Sequence, residues 1–147
     1  MAKERIASTG MWGWVARRLG LTPLPLGQRG ERHAAKYLRK GGMKIIARNR
    51  MLGGSLKGEI DLIGIEGEFL VFVEVRTRGS EGFMTPEESI RFDKRKALLR
   101  SVRRLIRKHK TAGLVPRIDV VAIVWPAGAK EPSVVRHHRG VLRVERW

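Results

Sequence analysis

The chain of 147 residues contains no cysteine. That absence removes disulfides, thiolate zinc sites and thiol nucleophiles together, and it suits a reducing cytosol. No apolar run approaches the ~18 residues a membrane-spanning helix needs, so no integral membrane segment is expected. No apolar stretch of about 7–15 residues leads to a small-residue cleavage site near the N-terminus, which argues against a secretory signal; a cytoplasmic location is the expectation. The glycine-containing loop from Arg48 to Lys57 (RNRMLGGSLK) lacks the Gly-x-x-x-x-Gly-Lys-Ser/Thr spacing of a phosphate-binding loop. No internal repeat or low-complexity segment is present. Acids are scarce, 14 Asp plus Glu against 31 Lys plus Arg, for a formal net charge of +17. A compact domain with this much like charge repels itself, and polyanions are its natural partners. Nucleic acid is the expected partner, with an anionic membrane surface as the weaker alternative.

What the sequence has is a stretch around which the rest is arranged. Residues 58–78 read GEIDLIGIEGEFLVFVEVRTR, two strands joined by a tight turn. Each strand carries a carboxylate among aliphatic neighbours. Asp61 lies among Ile60, Leu62, Ile63 and Ile65, and Glu74 among Val71, Phe72, Val73 and Val75. Bringing two acids into strands built for a core is costly unless the acids have a task. With Gly67-Glu68 as a two-residue turn, Glu66 pairs with Phe69 and Asp61 falls opposite Glu74. Arg76 shares the face of Glu74 by the period of two.

The flanking segments supply the frame. Residues 1–26 form a basic arm or short docking helix, with Trp12, Trp14, Arg17 and Arg18 ahead of Pro23 and Pro25. A single domain is expected over residues 27–147. A helix is predicted from about Gln28 to Lys40, stopped by Gly41-Gly42. Ala34, Ala35 and Leu38 share one helical face, and Glu31 falls in the middle of it; a favourable interaction with the helix N-terminus is the plainer account of that acid. A short strand is predicted over Lys44–Ala47 and a long helix over Glu87–Lys110, with Leu98, Val102, Leu105 and Ile106 inward. Lys96, Arg100, Arg103 and Arg107 form a cationic stripe on nearly the opposite side of that helix. No acid lies between Lys94 and Lys110 to neutralise it, so phosphate contact is favoured over a merely solvated face. Arg117–Trp125 reads as a buried strand, and strand–helix–strand implies a parallel crossover. A terminal hairpin, Val134–His138 against Val141–Val144, is expected, with His137 and His138 as surface residues facing opposite ways. The fold class is α/β with a mixed sheet, in the order helix-strand-strand-strand-helix-strand.

Glu31, Asp61 and Glu74 therefore point to one place. Two carboxylates ~4 Å apart repel by about 4 kcal/mol at an effective dielectric near 20, so a proton or a cation must resolve the conflict. All-oxygen ligands favour Mg²⁺ or Mn²⁺, which characteristically take only one or two protein carboxylates and share substrate phosphates. In a strongly basic protein, phosphodiester hydrolysis is the reaction this chemistry best serves.

The pattern resembles the PD-(D/E)XK nuclease superfamily, in which an acid on one strand is followed by acid-x-Lys on the next, often with a Glu on the first helix. Those places are matched by Asp61, by Glu74-Val75-Arg76 and by Glu31. The chain is still more similar to the YraN-like family of small bacterial proteins, related to archaeal Holliday-junction resolvases. The matching blocks are Gly30-Glu31, Ala34-Ala35 and Tyr37-Leu38, then Arg48-Asn49-Arg50, Gly58–Ile63, Phe72–Arg78 and Arg117–Ala122. The match covers roughly residues 27–125, and the GEIDLI and FVEVRTR blocks are the most specific. The resemblance implies a restriction-endonuclease-like core with Asp61, Glu74 and Glu31 at a metal site. It also implies action on DNA, including branched DNA, and a homodimer as a candidate assembly. Three departures stand out. Arginine occupies the superfamily's lysine position; Arg76 can grip phosphate and stabilise charge but stays protonated and cannot serve as a base. The loop before Gly58 is longer than the family's usual one. Residues 1–26 and the C-terminal tail fall outside the match. Against the nuclease reading stands a binding module for DNA or RNA that keeps the fold without turnover. A third possibility is a peripheral membrane protein using the Trp12/Trp14 segment.

Overall fold

The computed structural model describes residues 15, 18–20, 24–48, 60–80 and 92–144. The tryptophans of the N-terminal arm, the glycine-containing loop and the predicted start of the long helix lie outside these residues.

Helix α1 spans Leu26–Lys40. Pro25 takes the N-cap position with an extended backbone (φ −50°, ψ 147°), so the helix starts two residues earlier than the pattern predicted. Its end follows from Gly42, whose φ of +97° lies in the left-handed region. The Met43 N–H then reaches back to the Leu38 carbonyl at 3.0 Å and the Gly42 N–H to that of Arg39 at 3.0 Å, closing the exposed helix end. The buried face of α1 is Gly30, Ala34, Ala35 and Leu38. These are small residues, and the helix consequently lies close on the sheet.

The sheet comprises β1 (Lys44–Arg48), β2 (Leu62–Glu66), β3 (Phe69–Arg78), β4 (Val115–Val124) and β5 (Val134–Leu142), in that spatial order. β1, β2 and β3 form an antiparallel meander, β4 lies parallel to β3, and β5 closes the far edge antiparallel to β4. Helix α2 (Phe92–His109) makes the crossover between β3 and β4. The order and mixed pairing fit the restriction-endonuclease-like α/β class. No helix among the described residues is long and apolar enough to cross a membrane.

Strand alternation separates two cores. On one face Leu62, Val71, Val73, Val121, Ile123 and Trp125 pack against Ala34, Ala35 and Leu38 of α1. On the other, Ile63, Phe72 and Ile118 meet Leu98, Val102 and Leu105 of α2. The β2–β3 register runs from Glu66↔Phe69 to Leu62↔Val73, as the two-residue turn requires, with Gly67 at φ +57°.

The terminal hairpin does not form. Val134–Leu142 is one strand paired with β4. The segment Arg139-Gly140, which resembles a turn, instead makes a bulge: Ile118 pairs with Leu142 and Val120 with His138, so three residues of β5 stand against Asp119 alone. Gly140 adopts φ +64° there, and its N–H donates to Asp119 Oδ1 at 3.0 Å. An acid on the neighbouring strand thus turns the apparent turn into a bulge.

Candidate active site

Asp61 and Glu74 come together at the end of the sheet where β2 begins and β3 is two-thirds complete. Continuing the observed register by one residue sets Asp61 beside Glu74. Both are buried, at 9% and 3% exposed, on the sheet face that α2 covers. Asp61 lies just before the β2 ladder, and its Oδ2 accepts the Val75 N–H at 2.8 Å. The side chain thereby satisfies a backbone donor of β3 and is fixed in place by it.

Two cations approach the same oxygen of Glu74. Arg76 Nη2 lies 3.5 Å from Oε1 and Lys94 Nζ 3.8 Å from it. The other oxygen, Oε2, is buried and receives no hydrogen bond, and Arg76 Nε is likewise buried without an acceptor. Burial raises the Glu74 carboxyl to about 7, and the charge of Asp61 adds to the rise; Lys94 and Arg76 oppose it. Asp61 is also raised by burial, against the Val75 N–H and Lys94, which favour its charged form. Burial thus favours the protonated form at both acids.

This donor set fits a hard divalent cation. A buried carboxylate oxygen with no hydrogen bond, next to a second buried carboxyl, would gain a partner by coordination, and the proton on Glu74 would be displaced. Among the described residues no group of three His, Asp or Glu is placed to hold a metal. Glu31 is half-buried on α1, beside Gly30. That helix rests on the face of β3 that carries Val71 and Val73, whereas Glu74 and Arg76 alternate to the opposite face.

The cationic stripe is present. Lys96, Arg100 and Arg107 are exposed and Arg103 is half-buried on α2. From Lys96 to Arg107 the stripe runs about 16 Å at the helical rise per residue, leading away from the acids.

Two groups of residues were missed. Lys94 stands on the same i, i+4 row as Leu98 and Val102, so helical phase already placed a lysine on the inward side. The second group surrounds Asp119, which is fully buried in β4. Arg117 grips it through Nε and Nη2, each at 2.8 Å, and His137 Nε2 lies 2.7 Å away. Arg117 also joins Glu66, which Arg139 holds at 3.2 Å. The expectation that His137 is a surface residue is therefore corrected: its side chain is 6% exposed and paired with Asp119. The signal was an acid inside an apolar strand, the same signal that singled out Asp61 and Glu74.

The model of "Uncharacterised protein family UPF0102" matches residues 30–123, which include β2, β3, α2 and most of α1. A UPF0102 protein of Carboxydothermus hydrogenoformans is 42% identical over 117 residues, covering 80% of this chain and 94% of that one. One from Rhodococcus opacus is 44% identical over 101 residues, covering 69% and 83%. One from Syntrophotalea carbinolica is 35% identical over 124 residues, covering 84% and 96%.

Proposed function

The chain belongs to the UPF0102 family, the YraN-like group of PD-(D/E)XK nuclease-like proteins, and on that footing we propose that it is a metal-dependent nuclease hydrolysing DNA phosphodiester bonds, with branched or otherwise structured DNA as candidate substrates. The observation that carries this reading is the buried Asp61–Glu74 pair, in which Glu74 titrates near 7 and keeps one oxygen without a hydrogen bond. Asp61 and Glu74 would hold Mg²⁺ or Mn²⁺. When bound, such an ion lowers the pKa of water and offsets phosphate charge. Asp61 is oriented for this by the Val75 N–H. Arg76, a guanidinium two residues after Glu74, stabilises charge that develops on the phosphate. Glu31 would act as a base outside the ligand set. Lys96, Arg100, Arg103 and Arg107 grip the backbone and set the strand's path across α2.

The test is cleavage by purified protein with Mg²⁺ or Mn²⁺ on a panel of duplex, nicked, single-stranded and branched DNA. Activity on at least one form, lost in Asp61→Ala, is the expected result. Binding without cleavage of any form would sink the nuclease reading.

A specific observation favours a second reading. Arg76 and Lys94 both stand against Glu74, an arrangement that a non-catalytic DNA- or RNA-binding module would also tolerate. On that reading Mn²⁺ shows no carboxylate-dependent binding, and Glu74→Ala leaves nucleic-acid affinity unchanged.

A further inference from the structure

We propose that Lys94 is a catalytic residue of this site, whose ammonium binds the non-bridging oxygens of the phosphodiester under attack. The proposal rests on the nuclease reading and assigns to a helix a task that β3, carrying Arg76, leaves partly open.

Two observations converge on it. Lys94 Nζ is 3.8 Å from Glu74 Oε1, so the ammonium already sits at the acid pair. Its position in the fold is locally unfavourable. Its inward row, shared with Leu98 and Val102, is otherwise apolar and buried. A lysine that served only solubility would gain more on the exposed side, where Lys96 and Arg100 stand.

The side chain is 29% exposed, partly sheltered yet within reach of a substrate. The two cations differ in what they can do. Arg76 is a rigid planar fork on the same strand as Glu74, with its Nε buried. Lys94 is a compact ammonium with three donors on a flexible stem, and it approaches from the opposite layer. A phosphodiester lying over Glu74 would thus be held between a strand and a helix. In the reaction the oxygen of a water molecule attacks phosphorus, and the bond from phosphorus to the leaving oxygen breaks. That oxygen keeps the electron pair and takes a proton from solvent, while the proton of the attacking water passes to solvent. Lys94 makes and breaks no covalent bond; it offsets the charge that accumulates on the non-bridging oxygens.

The test compares wild type with Lys94→Ala and Lys94→Gln in two assays at saturating Mg²⁺. One is single-turnover cleavage of a DNA form that the wild type cuts. The other is binding of thymidylyl-thymidine, which has one phosphodiester and is too short to follow the stripe, read by NMR titration. The expected result is a fall in cleavage rate of about 10²–10³-fold, with long-DNA affinity changed by less than ~3-fold, the weight of one phosphate contact among several at moderate salt. Dinucleotide affinity should fall by about tenfold or more, as loss of a charge-assisted hydrogen bond predicts. Unchanged dinucleotide affinity in either folded variant overturns the proposal, and so does a wild type that does not bind the dinucleotide. If the wild type cuts no DNA, the nuclease reading falls by itself and the dinucleotide assay alone decides whether Lys94 receives a phosphodiester.

Discussion

Asp119 and Glu74 are both buried acids in the middle of apolar strands, yet they respond to their surroundings in opposite directions. Burial alone would raise Asp119, but hydrogen bonds from His137, Arg117 and the Gly140 N–H outweigh it and hold the carboxyl below its ordinary value. Stability contributed by Asp119 is therefore present at neutral pH and lost as pH falls through its folded pKa. Glu74 has no such set of donors, and burial wins. Its rise from 4.5 to about 7 corresponds to about 3 kcal/mol. That stability is present below pH 4.5, is drawn down above it and is gone once pH passes about 7. Denaturant unfolding of the metal-free protein should therefore show stability declining between about pH 5 and 8, and Glu74→Gln should flatten the decline. The contrary result, stability rising steadily over that interval in the wild type and unaltered in the variant, would show that Glu74 is ionised throughout. Asp119→Ala should cost about 1–3 kcal/mol, because Arg117, His137 and the Gly140 N–H lose their shared buried acceptor while Glu66 still holds Arg117; urea titration reads this directly.

At the level of elements, α1 is set on β3 by an absence of side chain. A Cβ at Gly30 would lie 1.8 Å from Thr77 Oγ1 and 2.9 Å from Thr77 Cβ. Gly30→Ala should thus destabilise by about 1–3 kcal/mol, the usual range for overpacking, even though alanine is the better helix former. Thr77→Gly in the same chain should recover part of the loss, and a double-mutant cycle measures the coupling. If Gly30→Ala raised the melting temperature, helix propensity would outweigh packing here and the close approach would be wrong. Much at this scale was legible in advance. The two-residue turn fixed the β2–β3 register and hence the pairing of Asp61 with Glu74. The periodic rows of α1 and α2 identified their buried faces, and the crossover gave the parallel β3–β4 pair. Less legible was anything decided between distant strands. Arg139-Gly140 has the composition of a turn, and only the buried Asp119 across the ladder explains why it is a bulge in β5. His137 was misjudged for the same reason, since its partner lies in another strand. Lys94 was missed although its helical phase was available, because a single lysine among so many basic residues carried no contrast.

Across the whole molecule, the charge of +17 and the exposed row on α2 predict steep salt dependence of DNA binding. Four phosphate contacts would weaken affinity by roughly 150-fold between 50 and 200 mM salt. Arg100→Ala or Arg107→Ala should each lower the logarithmic slope by about one. A flat response in the wild type would remove α2 as the phosphate-binding face. The acid pair rather than the stripe is the proposed metal site, and calorimetric titration of Mn²⁺ reports on it. The wild type should bind one ion and release close to one proton per ion near pH 6, with that release fading by pH 9 as Glu74 ionises by itself. Asp61→Ala should abolish the binding. Mn²⁺ heats that are absent in the wild type, or that persist unchanged in Asp61→Ala, would contradict the assignment of Asp61 and Glu74 as the metal-holding pair.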